Sequence, residues 1–342
     1  MNIPATMIDF FKPKSEARHH LVVLDGWRGI SILLVLACHL LPLGPKPWML
    51  NHGAGILGMV LFFNLSGFLI TSFLLKEQNL PKFLVRRFFR IIPLAWLYLL
   101  IALTLSGASL YAWISHWLFF ANLPPHSLIP LTDHIWSLCV ETQFYIGIAL
   151  LVALLKRDGL FLIPVLCLAF TALRIWNGMH YSTYTYFRID EILAGGTLAL
   201  VYQGHLGDKI QAFVKRVPII LPLALLLLSC MPQTAWLNYF RPYFAAWLIG
   251  KTLLDSSHKT TQLLSNNYLS FVATISYSLY VIHPMLAASW LGSGDILVKY
   301  LKRPLLFAIL FLLAWLSTHF FEKRFIDLGK KLSDRIGNTR SA

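Results

Sequence analysis

The chain has 342 residues, of which 57% are hydrophobic and only 13% charged, with a mean hydropathy of +0.65. A soluble domain carries about 25% charged residues, so this composition excludes an ordinary soluble fold and indicates a polytopic membrane protein. The excess of 29 Lys+Arg over 15 Asp+Glu, a net charge of +14, could suggest nucleic acid. Its distribution excludes that, because the basic residues collect in short loops between apolar spans, as in loops facing anionic lipid.

In chain order, residues 1–20 are polar and hold no apolar core of a cleaved signal, so the first span is expected to act as its own insertion signal. Apolar segments follow at 27–43, 53–75, 89–106, 109–122, 136–155, 159–175, 188–203, 217–231, 237–254, 268–290 and 304–321. If segment 109–122 does not cross, Lys156, Arg157, Lys209, Lys215, Arg216 and the basic C-terminal stretch all fall on the side of Lys76, Lys82, Arg86, Arg87 and Arg90. The positive-inside rule then predicts about ten transmembrane helices with both termini cytoplasmic. Segment 109–122 becomes an amphipathic or re-entrant piece at the outer surface, and Lys299, Lys302 and Arg303 fall outside as an exception. The expected fold class is an all-α polytopic membrane helical bundle, with a cytoplasmic N-terminal tail over 1–20 and a basic cytoplasmic tail over 326–342.

Ionisable groups inside such spans are the candidates for chemistry, since each costs ~2.5–3.5 kcal/mol on insertion scales. Arg28 and His39 lie 11 positions apart on the first span. Eleven steps of 100° return them to within about 20° of one face, ~16 Å apart along the axis. Ser137, Glu141 and Tyr145 share a face of the 136–155 span, and Ser276, Tyr280 and His283 share one of the 268–290 span. Arg188, Asp190 and Glu191 open another span. Arg188 and Glu191 also have the spacing of an intrahelical ion pair. Histidines and carboxylates thus gather towards the outer side, and Arg28 with Arg86, Arg87 and Arg90 towards the cytoplasm. Arginine forks suit a phosphate-bearing ligand, although the 86–90 run also reads as a topology signal. A His–carboxylate pair suits general-base work near neutral pH. His116, His126 and His134 are expected in outer loops or at the membrane interface, without a chemical role. Cys38, Cys139, Cys167 and Cys230 have no metal-ligand spacing, and no metal is expected.

The wording and order of these segments resemble acyltransferase family 3, the integral membrane acyltransferases that O-acylate bacterial surface polysaccharides and related acceptors. LDGWRGISILLVLACH (24–39) is similar to the family's opening, with its Arg-x10-His pair at Arg28 and His39. FFNLSGFLIT (62–71), which holds Asn64 and Ser66, looks like the second-span motif, and FLVRRFFRIIP (83–93) like the basic loop, with Arg87 and Arg90 on its Arg-x-x-Arg element. WSLCVETQFY (136–145) places Glu141 on the acidic position, and YFRIDEILAGG (186–196) and ISYSLYVIHP (275–284) are similar to two later blocks. The resemblance covers about Val22 to Lys323, within a domain taken as 21–325.

The resemblance implies an acyl-CoA co-substrate, acetyl-CoA by default, with no bound cofactor. The acceptor would be a hydroxyl of an extracytoplasmic carbohydrate, and the location the bacterial cytoplasmic (inner) membrane. His39 and Arg28 would form the essential pair, with Glu141 orienting the His39 imidazole. Arg86, Arg87 and Arg90 would hold the donor, and Asn64, Ser66, Tyr145, Arg188, Asp190, Tyr280 and His283 would line the acceptor path. Many members carry an additional C-terminal hydrolase-like domain, which this chain is expected to lack. The competing class is a membrane transporter or flippase for a glycan precursor, since intramembrane His, Glu and Arg also mark substrate paths.

Overall fold

The computed structural model describes residues 19–255 and 259–338. Most of the expected N-terminal tail therefore lies outside the described residues. Among those described, every regular element is helical and no strand forms. Helices α1 (His19–Leu40), α2 (Leu50–Lys76) and α3 (Leu80–Leu105) are long. The short α4 (Leu110–Trp117) is followed by α5 (Trp136–Leu155), α6 (Ile163–Trp176) and α7 (Ile189–Tyr202). Next come α8 (Asp208–Arg216), α9 (Ile220–Ser229), α10 (Arg241–Leu254), α11 (Lys259–Leu264), α12 (Asn267–Thr274) and α13 (Ser276–Ala288). The chain finishes with α14 (Ile296–Leu301), α15 (Arg303–Leu316), a π-helical turn at Ser317–Glu322, and α16 (Lys323–Asn338).

Five stretches are long and apolar enough to cross a membrane: 22–40, 46–76, 80–105, 133–176 and 303–336. Two pairs, α8 with α9 and α12 with α13, qualify only as spans bent by 87° and 65°, which raises the number to seven. The expectation of about ten counted 136–155 and 159–175, here one stretch, as two spans, and also counted the apolar segments that form α7 and α10. At 14 residues each these helices are about 21 Å long, short of a ~30 Å hydrocarbon core. The eight-residue α4 is far too short to span.

Helices α2 and α7 are held by close backbone contacts at their crossing. A Cβ at Gly67 would sit 1.8 Å from the Ile192 carbonyl oxygen, and one at Gly195 would sit 1.9 Å from that of Asn64. Without a hydrophobic drive between helices in lipid, such small-residue contacts let backbones close up and gain dispersion energy. The crossing of α2 and α7 therefore explains the glycines of both sequence blocks, and it fixes the start of α7 against the bundle. The residues expected as a C-terminal tail from 326 onward are helical to Asn338. They pack along α3, where Arg86 reaches Ser333 Oγ at 2.9 Å and Asp334 Oδ1 at 2.8 Å.

Candidate active site

Two cavities open at opposite ends of α1. The first, about 520 Å³, is lined by Arg28, Arg86, Arg87, Arg90 and Lys330, with Asp25 as its one lining carboxylate. Five cations against one carboxylate give it a strongly positive lining. Arg28 is paired with Asp25 at 3.2 Å, and Arg86 is committed to Asp334. Arg87 and Arg90 form no ion pair with a described residue, and Arg87 lies over the rings of Phe83 and Tyr145 at 5.9 and 5.7 Å. The second cavity, about 490 Å³, is lined by His39, His52, His134, His283, Tyr181 and Arg188 among others.

Between them lies a narrow neck of about 20 Å³. It is walled by Arg28, Ser31, Ile32, Val35, Met59, Phe62, Leu138, Ser276, Tyr277 and Tyr280. Arg28 belongs to both the neck and the arginine cavity; Val35, Met59 and Tyr280 belong to both the neck and the histidine cavity. The wall is largely apolar, and it runs along the face of α1 that carries Arg28 and His39.

The histidine pair is set by a proline. Pro284 has no N–H to give to the Tyr280 carbonyl four residues earlier. That carbonyl accepts instead from His283 Nδ1 at 2.7 Å. A carbonyl can only accept, so Nδ1 of His283 carries a proton, and in the neutral ring Nε2 carries the lone pair. Nε2 faces His39 Nδ1 at 3.1 Å, which makes His39 Nδ1 the donor and leaves the lone pair of His39 on Nε2. The two rings stack with centroids 5.0 Å apart.

Glu141 is placed elsewhere. Its Oε1 accepts from Ser66 Oγ at 2.7 Å and from the Tyr145 hydroxyl. The expected Glu141–His39 pairing is replaced by His283–His39, because the stretch from Trp136 to Glu141 carries the carboxylate past the histidine cavity towards the arginine side. Ser66, Glu141, Tyr145 and Arg87 form one buttress running to the arginine cavity. Asn64 and Asp190, expected along the acceptor path, line neither cavity. Asn64 is fully buried at the α2–α7 crossing. Asp190 is held by Arg174 and by Thr171 Oγ1 at 3.1 Å. Arg188, Tyr280 and His283 do line the histidine cavity.

Reading the sequence missed several lining residues. His134, expected in an outer loop or at the interface, instead has a buried ring that packs against those of Tyr280 and His283 at 5.4 and 5.6 Å. Its place two residues before the WSLxxE block was the available signal. Tyr181 and Lys330 carried no local signal at all. Burial pushes the Tyr181 hydroxyl above its ordinary pKa, so it stays protonated as a donor. His116, by contrast, is accounted for structurally, bonded to Ala112 O and Thr132 Oγ1 at 2.7 Å each. Among the described residues no group of His, Cys, Asp or Glu is arranged to hold a metal ion.

Comparison with known proteins places this geometry. The chain is 28% identical over 316 residues to a provisionally named O-acetyltransferase of Staphylococcus aureus (strain COL), covering 79% of this chain and 51% of that protein. It is 25% identical over 355 residues to the peptidoglycan O-acetyltransferase OatA of Listeria monocytogenes, covering 90% and 56%. It is also 25% identical over 315 residues to the O-acetyltransferase OatA of Staphylococcus aureus (strain NCTC 8325), covering 79% and 51%. The chain thus spans about half the length of these relatives. No solved structure matches it. The model of acyltransferase family 3, described as an acyltransferase domain, matches residues 21–319, and the chain belongs to that family.

Proposed function

We propose that this chain is a membrane O-acyltransferase that moves an acyl group, acetyl by default, from acyl-CoA to a carbohydrate hydroxyl. The observation that carries the reading is the pair of cavities with a thin apolar neck between them, cationic at one end and lined by histidines at the other. A CoA thioester has this shape and charge, with phosphates at one end, a slender arm, and the reactive carbonyl at the tip. Arg87, Arg90, Arg28 and Lys330 would hold the phosphates, since guanidinium forks match phosphate oxygens. The ~16 Å rise from Arg28 to His39 is the distance the arm would cover.

At the histidine end, His39 Nε2 takes the proton of the acceptor hydroxyl as its oxygen attacks the thioester carbonyl. The new C–O ester bond forms, the C–S bond breaks, and the proton passes from His39 to the departing thiolate, giving free CoA thiol and the O-acyl product. His283 keeps His39 in the tautomer this requires, by accepting at His39 Nδ1. The positive-inside distribution supports an arginine cavity open to the cytoplasm, and hence an acceptor reached from outside a bacterial cytoplasmic membrane. The names of the relatives favour acetyl and a glycan acceptor.

The test uses the purified chain in nanodiscs with acetyl-CoA and candidate glycans. Acceptor-dependent release of free thiol, matched by an acetyl mass increment on the glycan and lost in His39→Ala, is expected. Movement of a glycan across the bilayer with CoA left intact would overturn the reading in favour of transport.

A further inference from the structure

We propose that Arg188 is the anion-recognition residue of the histidine cavity, and that the natural acceptor carries a carboxylate or phosphate oxyanion beside its reacting hydroxyl. The assignment rests on reading that cavity as the acceptor's.

The wall behind the cavity contains three guanidiniums and two carboxylates. Arg174, Arg188, Arg241, Asp190 and Glu191 are each at most 1% exposed. The two terminal nitrogens of Arg174 are bonded to Asp190 and to the carbonyls of His180 and Asn238, and its Nε has no partner. Arg241 is satisfied by Glu191 Oε1 and by the carbonyls of Ser229 and His180, each at 3.3 Å. Arg188 approaches Glu191 Oε2 at 3.2 Å, but none of its three nitrogens makes a hydrogen bond. Glu191 is therefore shared, and the wall holds one positive charge more than it neutralises. Asp133, exposed at the rim of the cavity, forms no ion pair with Arg188.

The guanidinium also lies over two aromatic rings. It lies 5.0 Å from the Trp136 ring centroid and 5.2 Å from that of Tyr181, both cavity-lining residues. A guanidinium at the cavity wall whose three nitrogens lack a hydrogen-bond acceptor is suited to bidentate binding of a carboxylate or phosphate. A buried charge whose one counter-ion is shared with a second guanidinium is unfavourable until a further counter-charge arrives. The anionic part of the donor would be held at the opposite end of the neck, so the oxyanion that meets Arg188 belongs to the acceptor.

Binding can be read without acyl transfer. The full chain in nanodiscs, at fixed ionic strength, is titrated with methyl β-glucuronide, its carboxamide, methyl β-glucoside and glucose 1-phosphate, following thermal stability and tryptophan fluorescence. At least one charged sugar should bind about tenfold or more tightly than the carboxamide and the glucoside. Arg188→Gln should bring the four to similar affinities, and Arg188→Lys should retain part of the preference. Tighter binding of the glucuronide or of the phosphate identifies which oxyanion is preferred. Equal behaviour of charged and neutral sugars in the unaltered protein, including no binding by any, overturns the proposal, and so does a preference that survives Arg188→Gln. A failure of thiol release with anion preference intact would count against the donor reading alone.

Discussion

His39 and His283 show how one imidazole can be oriented by another rather than by a carboxylate. The proton positions follow from one missing N–H at Pro284, through the Tyr280 carbonyl and His283, to His39 Nε2. His39→Ala is expected to lower kcat by about 10²–10⁴-fold, the usual contribution of a general base. His283→Ala, which leaves the base but not its tautomer, should lower it by about 10²-fold, the lower end of that range. Steady-state thiol release measures both, and an unchanged kcat for His283→Ala would refute the tautomer argument. Glu141 behaves differently. Because it holds Tyr145 beneath Arg87, Glu141→Gln should raise KM for acetyl-CoA more than it lowers kcat. A pure kcat defect in that variant would return Glu141 to the chemistry of the histidine end.

Among the helices, the α2–α7 crossing is the most constrained feature. Gly195→Ala must push a Cβ into the Asn64 backbone, and overpacking of this kind costs about 1–3 kcal/mol. Gly147 in α5 has open space around its Cβ position, so Gly147→Ala should leave the thermal unfolding midpoint unchanged or raise it. Comparing the two midpoints in nanodiscs separates close approach from helix propensity. A Gly195→Ala protein as stable as Gly147→Ala would show that the helices are not held at that point. The crossing also positions Arg188, the N-cap of α7.

Over the whole molecule, the arginine cavity, the neck and the histidine cavity act as a single path only if the neck is passable. Ser31 lines the neck, and its hydroxyl donates to the Gly58 carbonyl at 2.6 Å. Ser31→Trp should abolish acyl transfer while CoA still binds at the arginine end, as measured by calorimetry. Arg90→Ala should do the reverse, weakening CoA binding about tenfold or more, as expected for loss of a charge-assisted hydrogen bond worth ~1.5–3 kcal/mol. If Ser31→Trp transferred acyl groups normally, donor and acceptor would have to meet by another route.

Much of this could be read directly from the chain. Composition dictates a helical membrane bundle, because a backbone in lipid must satisfy its own hydrogen bonds. The 11-residue spacing puts Arg28 and His39 on one face, because helical periodicity is local. The same local rule brings Tyr280 and His283 onto one wall. Partners from distant segments are another matter. Whether Glu141 or His283 meets His39 depends on how far each helix slides along its neighbour, and that is set by packing between segments far apart in the chain. The excess charge at Arg188 is likewise invisible in YFRIDEIL, where Arg188 and Glu191 look like a neutral pair. Only the fold brings Arg241 up to Glu191 from 50 residues away, leaving Arg188 without a full counter-charge.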